Sequence, residues 1–557
     1  MLTKGIIPYL VLTALCALLY VPGIARLPPV DRDEPRYAQA SKQMIETGDY
    51  VQIRFQDEPR NKKPIGIYWL QSASARVLGG GSHAGIWAYR LPSAVAATMA
   101  VLVTFWLGSQ IFERRVALLA AVLLACCALQ VIVAHVATTD AVLLATTIVA
   151  QAALARIFLG QQRGEAVGWR PALVFWVAQG AGILVKGPIA PLLGLFTALG
   201  ASLTSRNFRW LKGLKPLWGI PLCAAIVCPW FIAVSHATAG AFLKDSVGKD
   251  FLPKLFSGQE SHGAPPGYYL LLAIFTFWPA SLFAAPSLVD GWRRRREGLF
   301  GFLVFWIVPF WILLEIVPTK LPHYILPAYP ALALLVADSA TRLGGQGAGG
   351  RLERALAKWT RYIWLAVTFV LALAMLLLPP LLDGRVDWLA LWPFGLLVVL
   401  AIMVQGWGRS RPWTWSLRLG VGAAVLVFPV VFQCLLPRLQ ALWISRQVVE
   451  TLAAHTDPNR QPPGLVAVGY QEPSLVFLAG TGTVLAAPEG AAAHLLKRPG
   501  DVALVRRDYM QPFLDALADK GARAQRFAVV RGWNYSKGKS LELGFYRLAP
   551  ELAPVSP

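Results

Sequence analysis

Apolar residues in this chain gather into runs of about 17 to 25, the length that crosses a bilayer as a helix. Such runs lie near residues 6–25, 86–107, 116–134, 140–158, 171–185, 188–204, 217–235, 268–289, 299–317, 322–340, 362–381, 389–407 and 417–436. They predict about 13 transmembrane helices. The runs at 171–185 and 188–204 meet at Lys186-Gly187-Pro188 and must turn tightly there, with a re-entrant or broken helix as the alternative. Between the first two runs the pattern changes. Asp31-Arg32-Asp33-Glu34-Pro35-Arg36-Tyr37 is dense in charge, and Pro35 suits the first position of a helix. Tyr37, Ala40, Ser41, Met44 and Ile45 then share one face up to Thr47-Gly48. This predicts a short amphipathic helix on the membrane surface with carboxylates at its start. The plainer alternative is a loop whose charges mark the end of a span.

After residue 436 the apolar runs shorten. Leu465–Gly469, Thr483–Ala486 and Val502–Val505 predict buried strands, separated by helix-like segments at 472–479, 489–497 and 509–521. Phe527–Val530 and Leu541–Tyr546 flank a turn-rich segment and predict a closing hairpin. The expected architecture is a polytopic α-helical membrane domain over 1–436, with loops at about 26–85 and 236–267, followed by a small α/β domain over 437–557.

Composition agrees with the pattern: 56% of the 557 residues are hydrophobic and 15% are charged. The net charge of +22 points to nucleic acid only until its distribution is considered. The basic clusters at Arg114-Arg115, Arg156 to Arg170, Arg206 to Lys215, Arg293 to Arg296, Arg342 to Arg361 and Arg409 to Arg418 all fall on one side if the N-terminus is cytoplasmic. The first loop, the 236–267 loop and the C-terminal domain are then extracytoplasmic, periplasmic in a bacterium, and no nucleic-acid partner is expected. The first apolar run is expected to be a retained anchor, because no small-residue cleavage site follows it. All six cysteines lie in or beside apolar runs, which gives no disulfide framework and no cysteine metal site.

Ionisable groups at span ends are costly unless paired or wetted, which makes them candidates for chemistry. On the extracytoplasmic side these are Asp33, Glu34 and Arg36, with Lys62 and Lys63 further along the first loop. Asp140 opens a span, with Thr138 or Thr139 as its cap. Lys186 lies in the tight turn, His262 in the second large loop, and Lys320, His323 and Tyr324 before another span. Each has a plainer reading: a dipole-favoured helix start for Asp140, a loop histidine for His262, interfacial lysines for Lys186 and Lys320. Carboxylates facing several cations beside a lipid-accessible wall suit displacement of a phosphate from a sugar's anomeric carbon.

Asp33-Glu34-Pro35-Arg36-Tyr37, Asn61-Lys62-Lys63-Pro64 with Tyr68-Trp69, Thr138-Thr139-Asp140-Ala141, Lys186-Gly187-Pro188 and Lys320-Leu321-Pro322-His323-Tyr324 together resemble the GT-C polyprenyl-phosphate-sugar glycosyltransferases. The chain most resembles the bacterial lipid A aminoarabinose transferases, with protein O-mannosyltransferases more distant. Gly469-Tyr470-Gln471-Glu472-Pro473-Ser474 extends the likeness into the C-terminal domain. The resemblance implies an inverting transfer at the periplasmic face of the inner membrane, from a polyprenyl-phosphate donor to lipid A, another glycolipid or a protein. By position, Asp33, Glu34 and Asp140 would be catalytic, and Arg36, Tyr37, Lys63 and Tyr324 would hold the donor phosphate. Lys62, Lys186, His262, Lys320 and His323 are secondary candidates. Where the family resembles Tyr-x-Glu-Lys-Pro, this chain has Arg60 and Lys62. The family's glutamate there is implicated in divalent-metal binding with a histidine that His262 would match, so Lys62 counts against an identical metal site. Lys62 also favours an acidic or neutral sugar over an amino sugar. A polytopic transporter is the competing class, but neither repeated halves nor a nucleotide-binding loop is present.

Overall fold

The computed structural model describes residues 5–251, 263–344, 350–408, 410–457 and 462–549. Among these, seven helices are long and apolar enough to cross a membrane, or eight if one bent pair is a single span, and three shorter apolar helices accompany them. The fold is the expected polytopic helical one with a C-terminal sheet domain; each apolar run behind the expected 13 spans holds helix, several of them short or broken. The run at 116–134 bends by 59° between Arg114–Ala125 and Ala128–Ala134. The run at 268–289 breaks into Tyr268–Thr276, a short 3-10 turn at Ala280–Phe283 and Ala284–Arg293, around Pro279, which lacks the N–H a continuous helix needs. Trp169–Lys186 and Ile189–Ser205 are separate helices, joined at Gly187, whose φ of +67° favours glycine.

Two helices form the centre of the membrane part. Within Asp140–Gln162 and Pro322–Arg342, 83% and 89% of the most apolar stretch is buried, against 17% for Pro216–Ala237 and 22% for Arg351–Asp383 on the periphery. Buried alanines at 141, 145, 150, 152, 153 and 155 let neighbouring backbones approach the first of these closely. Both central helices begin with the polar motifs of the site, so their packing sets where those motifs stand.

The C-terminal sheet has five strands in the spatial order Val484–Ala486, Leu465–Val468, Val502–Arg506, Lys539–Leu548 and Ala524–Asn534. The first three are parallel, the last two form an antiparallel hairpin, and that hairpin joins the third strand antiparallel, with Leu504 opposite Phe545. Side chains alternate between two cores. Leu465, Ala467, Leu504 and Phe545 pack with Ile444 and Val448 on one face, and Val466, Val468, Ala503 and Tyr546 pack with Leu495 and Phe513 on the other.

Candidate active site

The charged stretch of the first loop forms the helix Asp33–Thr47, which ends at Gly48 with φ +72°. Tyr37, Ala40, Ser41 and Met44 are buried as their shared face predicts, but so are Ala38, Gln39 and Gln43. The helix is therefore not a surface helix. Its other face is covered by the C-terminal domain: Ala38 packs in one cluster with Phe477, and Gln39 Nε2 donates to Thr481 Oγ1 at 2.7 Å.

The adjacent carboxylates point to different places. Asp33 is the first residue of the helix, where the dipole favours a negative charge. Its side chain is 53% exposed, with Arg36 Nη1 at 3.9 Å from Oδ1. Glu34 is buried, and its oxygens accept from Arg90 Nε at 2.7 Å, Arg90 Nη2 at 2.8 Å, Val30 N at 2.7 Å and Ala137 N at 2.8 Å. Arg90, fully buried, also donates to the carbonyls of Ile24, Leu27 and Pro28. Glu34 thus has four donors and no lone pair for a substrate. Its carboxylate is a buried structural tie, which speaks against the catalytic role expected for it.

Asp140, the first residue of its helix, receives Lys186 Nζ at 2.5 Å and Thr138 Oγ1 at 3.1 Å, with His323 Nε2 at 3.6 Å. Thr139 occupies the cap position without a side-chain cap bond. Lys186 also lies over the Tyr324 ring at 4.7 Å. It is held in an ion pair and does not snorkel. Lys63, Asp140, Lys186, His323 and Tyr324 line the polar end of one groove, whose walls include Leu143, Ile189, Leu192, Phe310, Leu313 and Leu314. Asp33 and Lys63 are both near enough to His323 to act on its charge.

Tyr37 closes the site from the first loop. Its ring packs on Tyr68 at 5.5 Å and lies under the Arg60 guanidinium at 5.1 Å, while Arg60 Nε donates to the Tyr68 hydroxyl at 3.3 Å. Burial holds the Tyr37 phenol well above its ordinary range, so it stays protonated. Arg60 and Tyr68 were not among the expected site residues. The signal was present at Arg60, a cation where the family resemblance has a tyrosine.

Lys320 does not join the site. Its Nζ donates to the carbonyls of Glu315 and Val317 and so closes the end of the helix Phe300–Ile316. Lys62 is exposed. His262 lies outside the described residues. Nearby, Gly263 bridges Thr319 and Asp245 accepts from Asn61 Nδ2 at 3.0 Å, which ties the second large loop to both motifs.

The C-terminal domain reaches the reacting loop through Asp31, two residues before Asp33. Ser474 donates to the Asp31 carboxylate through N at 3.0 Å and Oγ at 2.5 Å, and Asp31 N donates to the Tyr535 hydroxyl at 2.7 Å. Burial pushes the Asp31 carboxyl up to about 7, against the Ser474 hydrogen bonds and with help from Glu472. A carboxyl raised on folding stabilises the fold fully below its unfolded value of 3.8 and loses that contribution as pH rises to about 7. The wild-type melting temperature in detergent is therefore expected to fall across this window, and Asp31→Asn to flatten the fall. Parallel curves for the two proteins would show that Asp31 does not titrate there.

These features define a class: the fold is that of the polytopic GT-C membrane glycosyltransferases. A family described as dolichyl-phosphate-mannose-protein mannosyltransferase matches residues 62–232. More particularly, the chain superposes on ArnT from Cupriavidus metallidurans bound to undecaprenyl phosphate with a TM-score of 0.75, at 19% identity, covering 98% of this chain and 99% of that one. The undecaprenyl phosphate-alpha-4-amino-4-deoxy-L-arabinose arabinosyl transferase of Pseudomonas paraeruginosa is 29% identical over 512 residues, 90% of this chain and 85% of that protein. The Erwinia tasmaniensis protein of the same name is 27% identical, and the match spans 61% of each chain. The resemblance carried by the motifs is thus borne out.

Proposed function

We propose that this protein is an inverting membrane glycosyltransferase that moves a sugar from a polyprenyl-phosphate donor to lipid A or another envelope glycolipid at the periplasmic face of a bacterial inner membrane. The observation that carries this reading is the groove in which Lys63, Lys186, His323 and Tyr324 stand at the polar end of an apolar wall. A polyprenyl chain fits the apolar wall, which leaves its phosphate among the cations. As the bond between anomeric carbon and phosphate breaks, negative charge grows on the phosphate and positive charge on the sugar. Lys63, Arg36 and the protonated Tyr37 meet the first, and Asp33 meets the second. Asp140 fixes Lys186 and His323 beside the donor. A hydroxyl acceptor would give its proton to Asp33; an ionised phosphate acceptor needs no base, and Asp33 then acts by charge.

Lys62 at the family's metal position counts against an identical divalent-metal site, and His262 lies outside the described residues. Lys62 replaces the acid, and no cluster of three or more His, Cys, Asp or Glu residues occurs among the described residues. The Arg60 guanidinium is instead a fixed cation at this edge of the site.

Mass spectrometry of lipid A and total envelope glycolipids from cells with wild type, Asp33→Ala or no copy tests the reading. A sugar-sized increment present only with wild type is expected, and its mass identifies the sugar. Identical profiles at matched protein level would remove the glycolipid acceptor. The match to the mannosyltransferase family favours a protein acceptor as the second reading, and an increment on envelope proteins would establish it.

A further inference from the structure

Beside Leu27 and Pro28, whose carbonyls Arg90 holds, lies a second concavity of about 590 Å³, which the reaction above does not use. Its charge is one-sided: Arg26, Arg438 and Arg446 line it and no Asp or Glu does. Arg26 is exposed, and its guanidinium has no ion-pair or hydrogen-bond partner among the described residues. Arg438 reaches both Asp387 oxygens at a long 3.4 Å and is 61% exposed. Arg446 pairs with Glu450 through Nε, which leaves its terminal nitrogens as donors. The rest of the lining is largely apolar and includes Leu27, Pro28 and Ile86.

Its depth and its connection to the site give the cavity meaning. Ile86 starts and Arg438 ends stretches of membrane-crossing length, so the cavity lies where spans leave the bilayer, at headgroup level. Arg90 holds its wall through the carbonyls of Leu27 and Pro28, at 2.6 and 2.9 Å. The same guanidinium holds Glu34, the neighbour of Asp33.

We propose that this cavity is an anion subsite for the acceptor, in which Arg26, Arg438 and Arg446 hold a second, non-reacting phosphate of a diphosphorylated glycolipid. The proposal rests on the glycolipid reading of the function. Arginine forks match phosphate oxygens in pairs, and an apolar floor beside them suits an amphiphile better than a free anion. Binding here sets the distance from the docked phosphate to Asp33 through one shared guanidinium, which selects acceptors by the spacing of their phosphates.

The test uses the full-length protein in nanodiscs, with a polyprenyl-phosphate sugar as donor. The acceptors are a diphosphorylated glycolipid and its counterpart lacking the non-reacting phosphate. Arg26→Gln/Arg446→Gln is expected to raise KM for the diphosphorylated acceptor about tenfold, the loss of one good charge-assisted contact, with donor KM within about twofold of wild type. On the monophosphorylated acceptor the variant and wild type should coincide, and Arg26→Lys/Arg446→Lys should recover most of the affinity. Arg26→Gln alone has no internal contact to lose and keeps the test sound if the double variant fails to fold. An unchanged KM, or an equal rise on both acceptors, overturns the subsite. So does loss of the difference when phosphatidylglycerol is added, which would make bulk phospholipid the occupant. If wild type transfers sugar to neither acceptor, the glycolipid reading falls and the subsite falls with it.

Discussion

Asp33→Asn is expected to lower the turnover of sugar transfer by about 100- to 1,000-fold, or about 3–4 kcal/mol of transition-state stabilisation. Donor KM should move by no more than about twofold, because the donor's phosphate is held by other groups. The Asp33 carboxylate stands at a helix start with half its side-chain surface exposed, and Arg36 Nη1 is 3.9 Å from it. It is therefore accessible to a reacting sugar. Asparagine keeps the shape and the helix start but removes the charge that meets the positive anomeric centre. It also removes the proton acceptor that a hydroxyl substrate needs. Turnover of purified, correctly melting protein measures this directly. Activity within about fivefold of wild type would assign the charge to another carboxylate, and Asp140 is the one within the groove.

The membrane class, the C-terminal strands and the residues that gather in the candidate site were legible in the sequence, because each depends on local pattern. Asp140, Lys186, His323 and Tyr324 were separable from ordinary span-end residues only as a set, and the structure gathers that set. What local pattern did not carry was direction. Asp33 and Glu34 are neighbours with the same chemistry, and a helix turns each residue by about 100° from the last. Which of them faces the cleft is decided by Arg90, 56 residues away, in an apolar span where a lone arginine demands a partner. Burial of both faces of the helix Asp33–Thr47 was hidden for a similar reason. Its cover comes from Phe477 and Thr481, more than 400 residues along the chain. The break in the 116–134 run occurs at Cys126-Cys127, which carries neither glycine nor proline to signal it. Lys320 was misplaced because a lysine capping carbonyls and a lysine facing a phosphate look alike until the helix end is known.

Glu34→Gln is expected to fail in a different way from Asp33→Asn, and the contrast separates structure from chemistry at adjacent positions. All five N–H groups of Arg90 are occupied, two by Glu34 and three by the carbonyls of Ile24, Leu27 and Pro28. Glu34 in turn satisfies the amides of Val30 and Ala137, and so links the start of the Asp33 helix to the loop that carries Asp140. Removing the carboxylate charge leaves a guanidinium buried in a dry site without its counter-ion, at a cost of about 3–5 kcal/mol. The yield of folded protein and its melting temperature should both fall, while the fraction that remains folded keeps a measurable turnover. Arg90→Met should cost a similar amount, since it strands the Glu34 charge and three carbonyls. The double variant Glu34→Gln/Arg90→Met should lose less than the sum of the two, because neither leaves an unpaired charge once both are gone. A Glu34→Gln protein that melts like wild type yet has lost its turnover would reverse the assignment and return Glu34 to the reacting cleft.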